Sequence, residues 1–250
     1  MKRRSRSAAR RVGFGLWLTA FVLTADTPVA SGASNSPCNP WVPLQPGASW
    51  TWLETSASSD ARIERTLTVE SVESSADHVE ALLVQKVRES GGTSRAQGKA
   101  TTRALCRGGV VTLETRGSAR ARSGAATSEA QVIARLPGLP APIDLAQGRT
   151  TRATTEITTL EGGRRERIRG ERVTRSLGKE AVVVPAGRFA EAIHLVIDER
   201  LKGQDNATYR QRIEEWWARG TGLVLRVNHR NGKVIGRETL VRRVVPVPRP

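Results

Sequence analysis

The chain has 250 residues, with 40 Lys and Arg against 24 Asp and Glu, which gives a formal net charge of +16. So basic a chain is typical of nucleic-acid binding in the cytosol, but aromatic residues for base stacking make up only 4% of the sequence. The Arg residues are also dispersed among Glu, as in Arg62–Arg65. We therefore exclude nucleic acid as a partner. The charge is interpreted as solvated strand faces, with attraction to anionic lipid or polysaccharide as the alternative.

Residues 1–33 have the three-part organisation of a secretory signal peptide. Residues 1–11 hold six basic residues and no acid, residues 12–25 are mostly apolar, and small residues fill positions 29–33. The apolar stretch is shorter than the ~20 residues of a membrane-spanning helix, so cleavage after Ala33 is favoured over an uncleaved anchor. Cleavage removes six basic residues and one acid, which lowers the net charge from +16 to +11. We expect a periplasmic or secreted protein without a stable transmembrane span.

The two cysteines, Cys38 and Cys106, both follow the predicted cleavage site. An even count in an exported protein predicts a disulfide between them. In the chain-entropy model a disulfide that closes such a long loop contributes roughly 4 kcal/mol. The spacing does not fit a metal site built from close Cys pairs. The alternative is a pair of buried thiols.

Residues 34–245 are interpreted as a single β-rich domain in which polar and apolar residues alternate. Near its start, Trp50 and Trp52 are two positions apart and would share one face of a strand. Residues 63–70 then alternate as a half-buried strand does. Turn residues recur at 107–109, 162–163, 185–188, 220–222 and 231–232. We expect an all-β protein, a long curved antiparallel meander of about ten or more strands.

Three other stretches interrupt this alternation. Residues 136–142 form a Pro-rich connector between the two halves of the domain, since Pro cannot donate within a sheet. Residues 150–175, rich in Thr, Arg and Glu, predict strands solvated on both faces. Such strands are expected near a sheet edge, where charge discourages pairing with other chains. Residues 246–250 are typical of an extended tail.

The pair His194 and Asp198 is the one weak candidate for catalysis. On a shared strand face they could serve as a general base and its orienting carboxylate. Four positions along a strand separate their backbones by ~13 Å, too far for an easy hydrogen bond, so a structural role is favoured. His229 is expected at the surface near a strand end. Neither a nucleophile elbow nor a phosphate-binding Gly loop occurs. We therefore predict no enzymatic activity, no cofactor and no metal site.

Three motifs occur in order along the chain. They are "Pro-Leu-x-x-Gly-x-x-Trp" within residues 43–52, "Val-Pro-Ala-Gly-x-Phe" at 184–189 and "Trp-x-Ala-x-Gly-x-Gly-Leu-Val" at 216–224. The set resembles an uncharacterised family of exported bacterial β-domains and covers nearly the whole mature chain. That family is similar in fold to the bacterial lipoprotein-localisation factors, whose open half-barrel shelters an acyl chain on its concave face. The resemblance implies an open half-barrel here, although this sequence lacks a clear helix to plug that face. The motif residues themselves are mostly architectural, since Pro-Ala-Gly makes a turn and Trp residues fill a core.

These observations favour a non-enzymatic envelope protein that binds a lipid or other amphiphile on the concave face of a curved sheet. The candidate ligand-binding residues are Trp50, Trp52, Phe189 and Trp216, because aromatic side chains bury a large apolar area with few rotors. Plain core packing of the same residues is the competing interpretation. The alternative function is an interaction or scaffold module in an envelope assembly, working through an edge strand or the basic surface. The ligand, the partner and the oligomeric state do not follow from the sequence.

Overall fold

The computed structural model describes residues 39–90, 94–123, 126–161, 163–204, 207–244 and 246. The predicted signal peptide, residues 1–33, lies outside these residues, as does the tail beyond Pro246. Within them the chain forms twelve β-strands and one short 3₁₀ helix, Pro142–Leu145. The strands are β1 (Ser49–Ser56), β2 (Arg62–Ser74), β3 (Val79–Ser90), β4 (Ser94–Arg107), β5 (Val110–Ser123), β6 (Ala126–Pro137), β7 (Thr150–Glu161), β8 (Arg164–Val184), β9 (Gly187–Lys202), β10 (Thr208–Ala218), β11 (Gly222–Arg230) and β12 (Lys233–Val244).

The strands form one antiparallel meander in which each strand pairs with the next along the chain. The all-β meander expected from the sequence is therefore confirmed. The expected open half-barrel differs in one respect, because the sheet closes into a barrel. Glu54 of β1 pairs with Ile63 of β2 on one side and with Glu238 of β12 on the other. Closure satisfies the backbone groups that an open edge strand would leave exposed.

The highly charged region 150–175 lies within the ring and not at an edge. Its first strand, β7, pairs with β6 through residues such as Ile157 and with β8 along its whole length. Some of its charges point outward, as in the exposed ion pair of Arg167 with Glu156, and Arg172 is buried inside the barrel beside Glu199. The expectation of a sheet edge here was wrong, since strands of a closed barrel are solvated on the outside without being edges.

The arm before β1 crosses one end of the barrel. The Asn39 side chain donates to the carbonyl oxygens of Gly109 at 2.8 Å and Pro140 at 3.1 Å, in the β4–β5 turn and the β6–β7 connection. The carbonyl oxygen of Pro40 accepts from the Gly220 N–H of the β10–β11 turn at 3.2 Å. Because these turns lie at the same end, the arm covers it. We call it the covered end, defined by the arm 39–47, residues 138–149 and the β8–β9 hairpin.

The β8–β9 hairpin completes this cover. Its strand β8 runs for 21 residues. The pairing of β8 with β9 shifts register just before Gly178 and again just after Glu180. Gly178 has a φ of 99°, which L side chains rarely adopt, so glycine suits the bend there. Beyond the bend the Ala186 N–H donates to the carbonyl oxygen of Leu240 at 3.1 Å. The hairpin tip thus reaches β12, four places further round the ring.

The apolar core lies inside the barrel beneath the covered end. Trp52 on β1 donates from Nε1 to the carbonyl oxygen of Leu223 on β11 at 2.8 Å. Because β12 stands between those strands in the ring, this hydrogen bond crosses the interior. Trp50 and Trp52 are fully buried in the cluster, as predicted for two residues sharing one face. Burying a Trp of 150–250 Å² contributes about 4–6 kcal/mol of transfer free energy.

Candidate functional site

Five charged side chains are buried together inside the barrel, on five neighbouring strands from β10 to β2. We call them the ionic network: Glu54, Arg65, Glu215, Arg226 and Glu238. Arg226 reaches Glu215 Oε1 at 2.6 Å and Glu238 Oε2 at 3.0 Å. Arg65 pairs with Glu54 and has its Nε 3.6 Å from Glu238 Oε1. The two Arg residues therefore bridge three carboxylates, and Glu238 lies between both of them.

The strand register explains how these residues meet. Glu215 lies opposite Arg226, Arg226 opposite Glu238, and Glu238 opposite Glu54, so four of the five form one row across the sheet. Each acid also stands two positions from a buried apolar residue on its own strand and so shares its inward face. Our sequence interpretation missed this network. One signal in the sequence was available. Glu54 follows Trp50 and Trp52 at the same two-residue spacing, so a charged residue stands at a position where the alternation predicts an apolar one.

The network has an unequal number of opposite charges. Two Arg and three Glu would carry a formal charge of −1 if all were ionised. Burial raises the pKa of Glu238 from 4.5 to about 7, against the opposing attraction of Arg65 and Arg226. Desolvation of a carboxylate disfavours its charged form. Glu238 can therefore hold a proton near neutral pH, which makes the network electrically neutral.

A small recess lies inside the barrel between the β6–β7 connection and strands β8 to β10. Its cavity volume is about 10 Å³, and Leu139, Leu195 and Trp217 line it beside Arg172 and Glu215. A cavity of that size has room for about one water molecule, whereas sites that bury a drug-sized ligand have volumes of roughly 300–1,000 Å³. The recess is therefore far below that range, even though its lining combines apolar and charged groups.

A second buried ion pair, between Arg172 and Glu199, lies beside this recess. Arg172 donates from Nη1 to the carbonyl oxygen of Pro137 at 3.2 Å, and its Nε lies 3.7 Å from Glu199 Oε1. Glu199 in turn accepts from the Thr155 hydroxyl at 3.2 Å and from Gln211. A carboxylate so engaged is held in place by three neighbouring strands. Glu199 is therefore satisfied within the protein, as buried polar groups generally are, whereas Nε of Arg172 is buried without a hydrogen-bond partner.

The four predicted ligand-binding residues all belong to the apolar core or pack against it. Trp50 and Trp52 have no exposed surface, and Trp216, which is 9% exposed, is buried in the same cluster. Phe189 is partly buried against this cluster near the covered end. Trp216 is on the other face of β10 from Glu215 and Trp217, which both line the recess.

On that face of β10, Trp216 stacks on the buried ring of His194, with centroids 4.2 Å apart and an interplanar angle of 17°. His194 Nδ1 lies 3.0 Å from Glu180 Oε2, and its Nε2 lies 3.3 Å from Glu214 Oε2. The other oxygen of that Glu214 carboxylate is 3.4 Å from Nε2 of His229. His194 is thus held by Glu180, Glu214 and Trp216. His229 is only about 20% exposed on its side chain.

Cys106 is fully buried at the end of β4. Cys38 lies outside the described residues, so the disulfide between them stays a prediction. The neighbouring Asn39 nevertheless donates to the carbonyl oxygen of Gly109 at 2.8 Å, in the turn that follows β4. The chain next to Cys38 is therefore held within a few residues of Cys106, as the predicted bridge requires.

In the described part of the chain, the His, Cys, Asp and Glu residues include no group of three or more that could hold a metal ion. None of its helices has the length and apolar character needed to cross a membrane.

No protein-family model and no curated protein sequence matches the chain. Its fold is similar to two solved structures. One is a predicted lipoprotein from Parabacteroides distasonis, with a TM-score of 0.59, 15% identity, and coverage of 82% of this chain and 98% of that one. The other is a predicted exported protein with a YmcC-like fold from Bacteroides fragilis, with a TM-score of 0.58, 13% identity, and coverage of 81% and 98%. At such low identity the likeness shows a shared fold alone.

Proposed function

We propose that this protein is a non-enzymatic protein of the cell envelope that binds a partner on the outer wall of its barrel. Support for export comes from the signal-like residues 1–33 and from the predicted exported and lipoprotein character of the two similar structures. Support for binding on the outside comes from the interior, which side chains already fill. This is the interaction-module alternative of the sequence interpretation, with the basic surface taking the role that an edge strand cannot have in a closed ring.

The filled interior is the observation that carries this proposal. Trp50, Trp52 and Leu240 have no exposed surface. The ionic network lies at the next inward-facing position of the same strands, with Glu54 two positions from Trp52 and Glu238 two positions from Leu240. An acyl chain there would have to displace Trp side chains or contact buried charges, and an unpaired buried charge is costly. The recess beside Arg172 has a cavity volume of only about 10 Å³, which is room for about one water molecule.

The proposal of a non-enzymatic role draws on the surroundings of His194, which is buried. His194 is stacked on Trp216 and flanked by two carboxylates, an arrangement that fixes the ring in place. Asp198, the expected orienting carboxylate, is exposed on the same strand. If His194→Ala abolished a turnover while leaving the protein folded, a catalytic role would replace the structural one.

Purification of the exported protein tests the proposal. The chain is expressed with its own signal in a Gram-negative host, isolated without detergent, and measured by native mass spectrometry beside an organic extract. We expect a mass that lacks residues 1–33 and no stoichiometric lipid. A bound amphiphile at one copy per chain would refute the filled interior, and an uncleaved mass would refute export.

Amphiphile binding inside the barrel is the second candidate, and the mixed lining of the recess favours it. Leu139 and Trp217 offer an apolar wall, and Arg172 offers a cation for an anionic headgroup. Titration with a short-chain anionic detergent, followed by Trp fluorescence, is the test. A carrier would lose its response in Trp217→Phe and retain it in the matched variant Trp216→Phe, because Trp216 does not line the recess. Equal responses in both variants would count against this candidate.

A further inference from the structure

The outer wall of β8, β9 and β10 carries a group of cations that no function described so far uses. We call Arg169, Arg200, Lys202 and Arg210 the cationic quartet; all four are exposed. Arg169 lies directly opposite Lys202 between β8 and β9. Arg200 lies directly opposite Arg210 between β9 and β10. Two like-charged pairs therefore stand on adjacent rows of one surface.

These pairs oppose the stability of the sheet. Directly opposite residues have Cβ atoms about 4.5–5.5 Å apart, and like charges there are destabilising. Arg169 has one acid near it, with its Nε 3.8 Å from Glu156 Oε1. Across β8 and β9, Glu171 stands opposite Arg200. Four cations against these two acids leave a surplus of two positive charges on this part of the wall.

Two further Arg residues extend the surface toward an exposed apolar pair. Arg165 lies opposite Leu160, and Arg167 lies opposite Thr158, which pairs in turn with Ile133 on β6. Leu160 and Ile133 are 40% and 44% exposed and share this outer face. Apolar side chains beside clustered cations suit the boundary between lipid headgroups and acyl chains. An acidic polysaccharide would complement the cations but offer nothing to the apolar pair.

We propose that this wall, made of the cationic quartet, Arg165, Arg167, Ile133 and Leu160, docks on a membrane surface that contains anionic phospholipids. The cations contact lipid phosphates, and the two apolar side chains enter the headgroup boundary. Arg residues bind phosphate oxygens with charge-assisted, often bidentate hydrogen bonds. This inference rests on the proposed function, in which the outer wall of the barrel binds a partner, and it identifies that partner as an anionic lipid surface.

Vesicle sedimentation of the mature, exported protein tests the inference. The vesicles contain phosphatidylglycerol and phosphatidylcholine in one set and phosphatidylcholine alone in the other. We expect binding to the anionic set only, weakening as salt increases, since exposed charges are screened. Each Lys or Arg near an anionic surface contributes about 1 kcal/mol, which is about fivefold in binding, so replacing all four by Gln should weaken it by about 600-fold.

A matched variant on the opposite side of the ring separates the site from total charge. Arg62, Lys86, Arg88 and Lys99 are exposed on β2, β3 and β4, and replacing them by Gln changes the net charge equally. We expect this control to lose less than tenfold. Equal losses in both quadruple variants would overturn the inference, because binding would then follow net charge and not this wall.

Two more measurements complete the test. Ile133→Ser with Leu160→Ser should weaken vesicle binding while leaving binding to dextran sulfate unchanged. Quartet-dependent binding to dextran sulfate without vesicle binding would assign the wall to a polysaccharide and overturn the lipid inference. The quartet variant should also melt no lower than the parent, since it removes two repulsive pairs. Absence of vesicle binding refutes this inference alone, whereas a lipid inside the purified protein refutes the proposed function.

Discussion

The ionic network makes Arg226→Met the most informative single substitution. The Arg226 side chain is 1% exposed and contacts Glu215 at 2.6 Å and Glu238 at 3.0 Å. Removing the guanidinium would change the formal charge of the network from −1 to −2 without giving either carboxylate a new partner. Breaking a buried ion pair from one side costs about 3–5 kcal/mol. We expect a loss of that size in the free energy of unfolding at pH 7.5.

Equilibrium urea unfolding followed by Trp fluorescence measures this loss. At pH 5 the loss should be smaller, because Glu238, whose pKa burial raises to about 7, is then protonated and depends less on the positive charge of Arg226. The triple variant with Glu215→Gln and Glu238→Gln should recover much of the stability, and Arg88→Met on the exposed wall serves as the control. A loss below about 1 kcal/mol, or one that is equal at both pH values, would refute the buried network.

Three other substitutions test separate parts of the fold. Burial raises the pKa of Glu238 from 4.5 to about 7. Between pH 4.5 and pH 7 the native state therefore keeps a proton on Glu238 that the unfolded state has released. The free energy of unfolding should therefore fall by about 3 kcal/mol as pH rises from 4.5 to 7, and Glu238→Gln should flatten this urea-derived profile; parallel profiles would contradict the assignment. A Cβ at position 170 would overlap the carbonyl oxygen of Arg200, so Gly170→Ala should cost about 1–3 kcal/mol in the same assay, and an unchanged midpoint would argue against that close approach. Cys38→Ser should lower the free energy of unfolding by roughly 4 kcal/mol; two reactive thiols in the unreduced, denatured parent would show that Cys38 and Cys106 are not bridged.

Alternation and turn chemistry predicted most of the strands. The Asn231-Gly232 hairpin signal is realised with φ values of 51° and 73°, and Trp50 and Trp52 share the inward face that their spacing indicated. Closure of the ring could not be predicted in this way. Alternation specifies which face of a strand is buried, but it does not say whether the first strand has a partner on its second side.

The candidate site was less accessible to the sequence. Trp216 and Trp217 are adjacent, so only one can point inward, and periodicity alone does not choose between them. The choice depends on the register of β10 against its neighbours, which places Trp217 in the core and Trp216 against His194. The ionic network was missed for a related reason. Its charges interrupt the apolar pattern singly, at Glu54 and Glu238, and only the paired register brings them together.

Ring closure by the first and last strands has a consequence for how the chain folds. Ser49 of β1 pairs with Val244 of β12, 195 positions later in the sequence. This contact can form only after β12 has been synthesised and exported. Contacts of such high sequence separation slow folding. Until then both terminal strands present unpaired edges that can recruit other chains. Because the closing strands are neighbours in space, a circular permutant that joins them and opens the β11–β12 hairpin should be able to build the same barrel in a different temporal order.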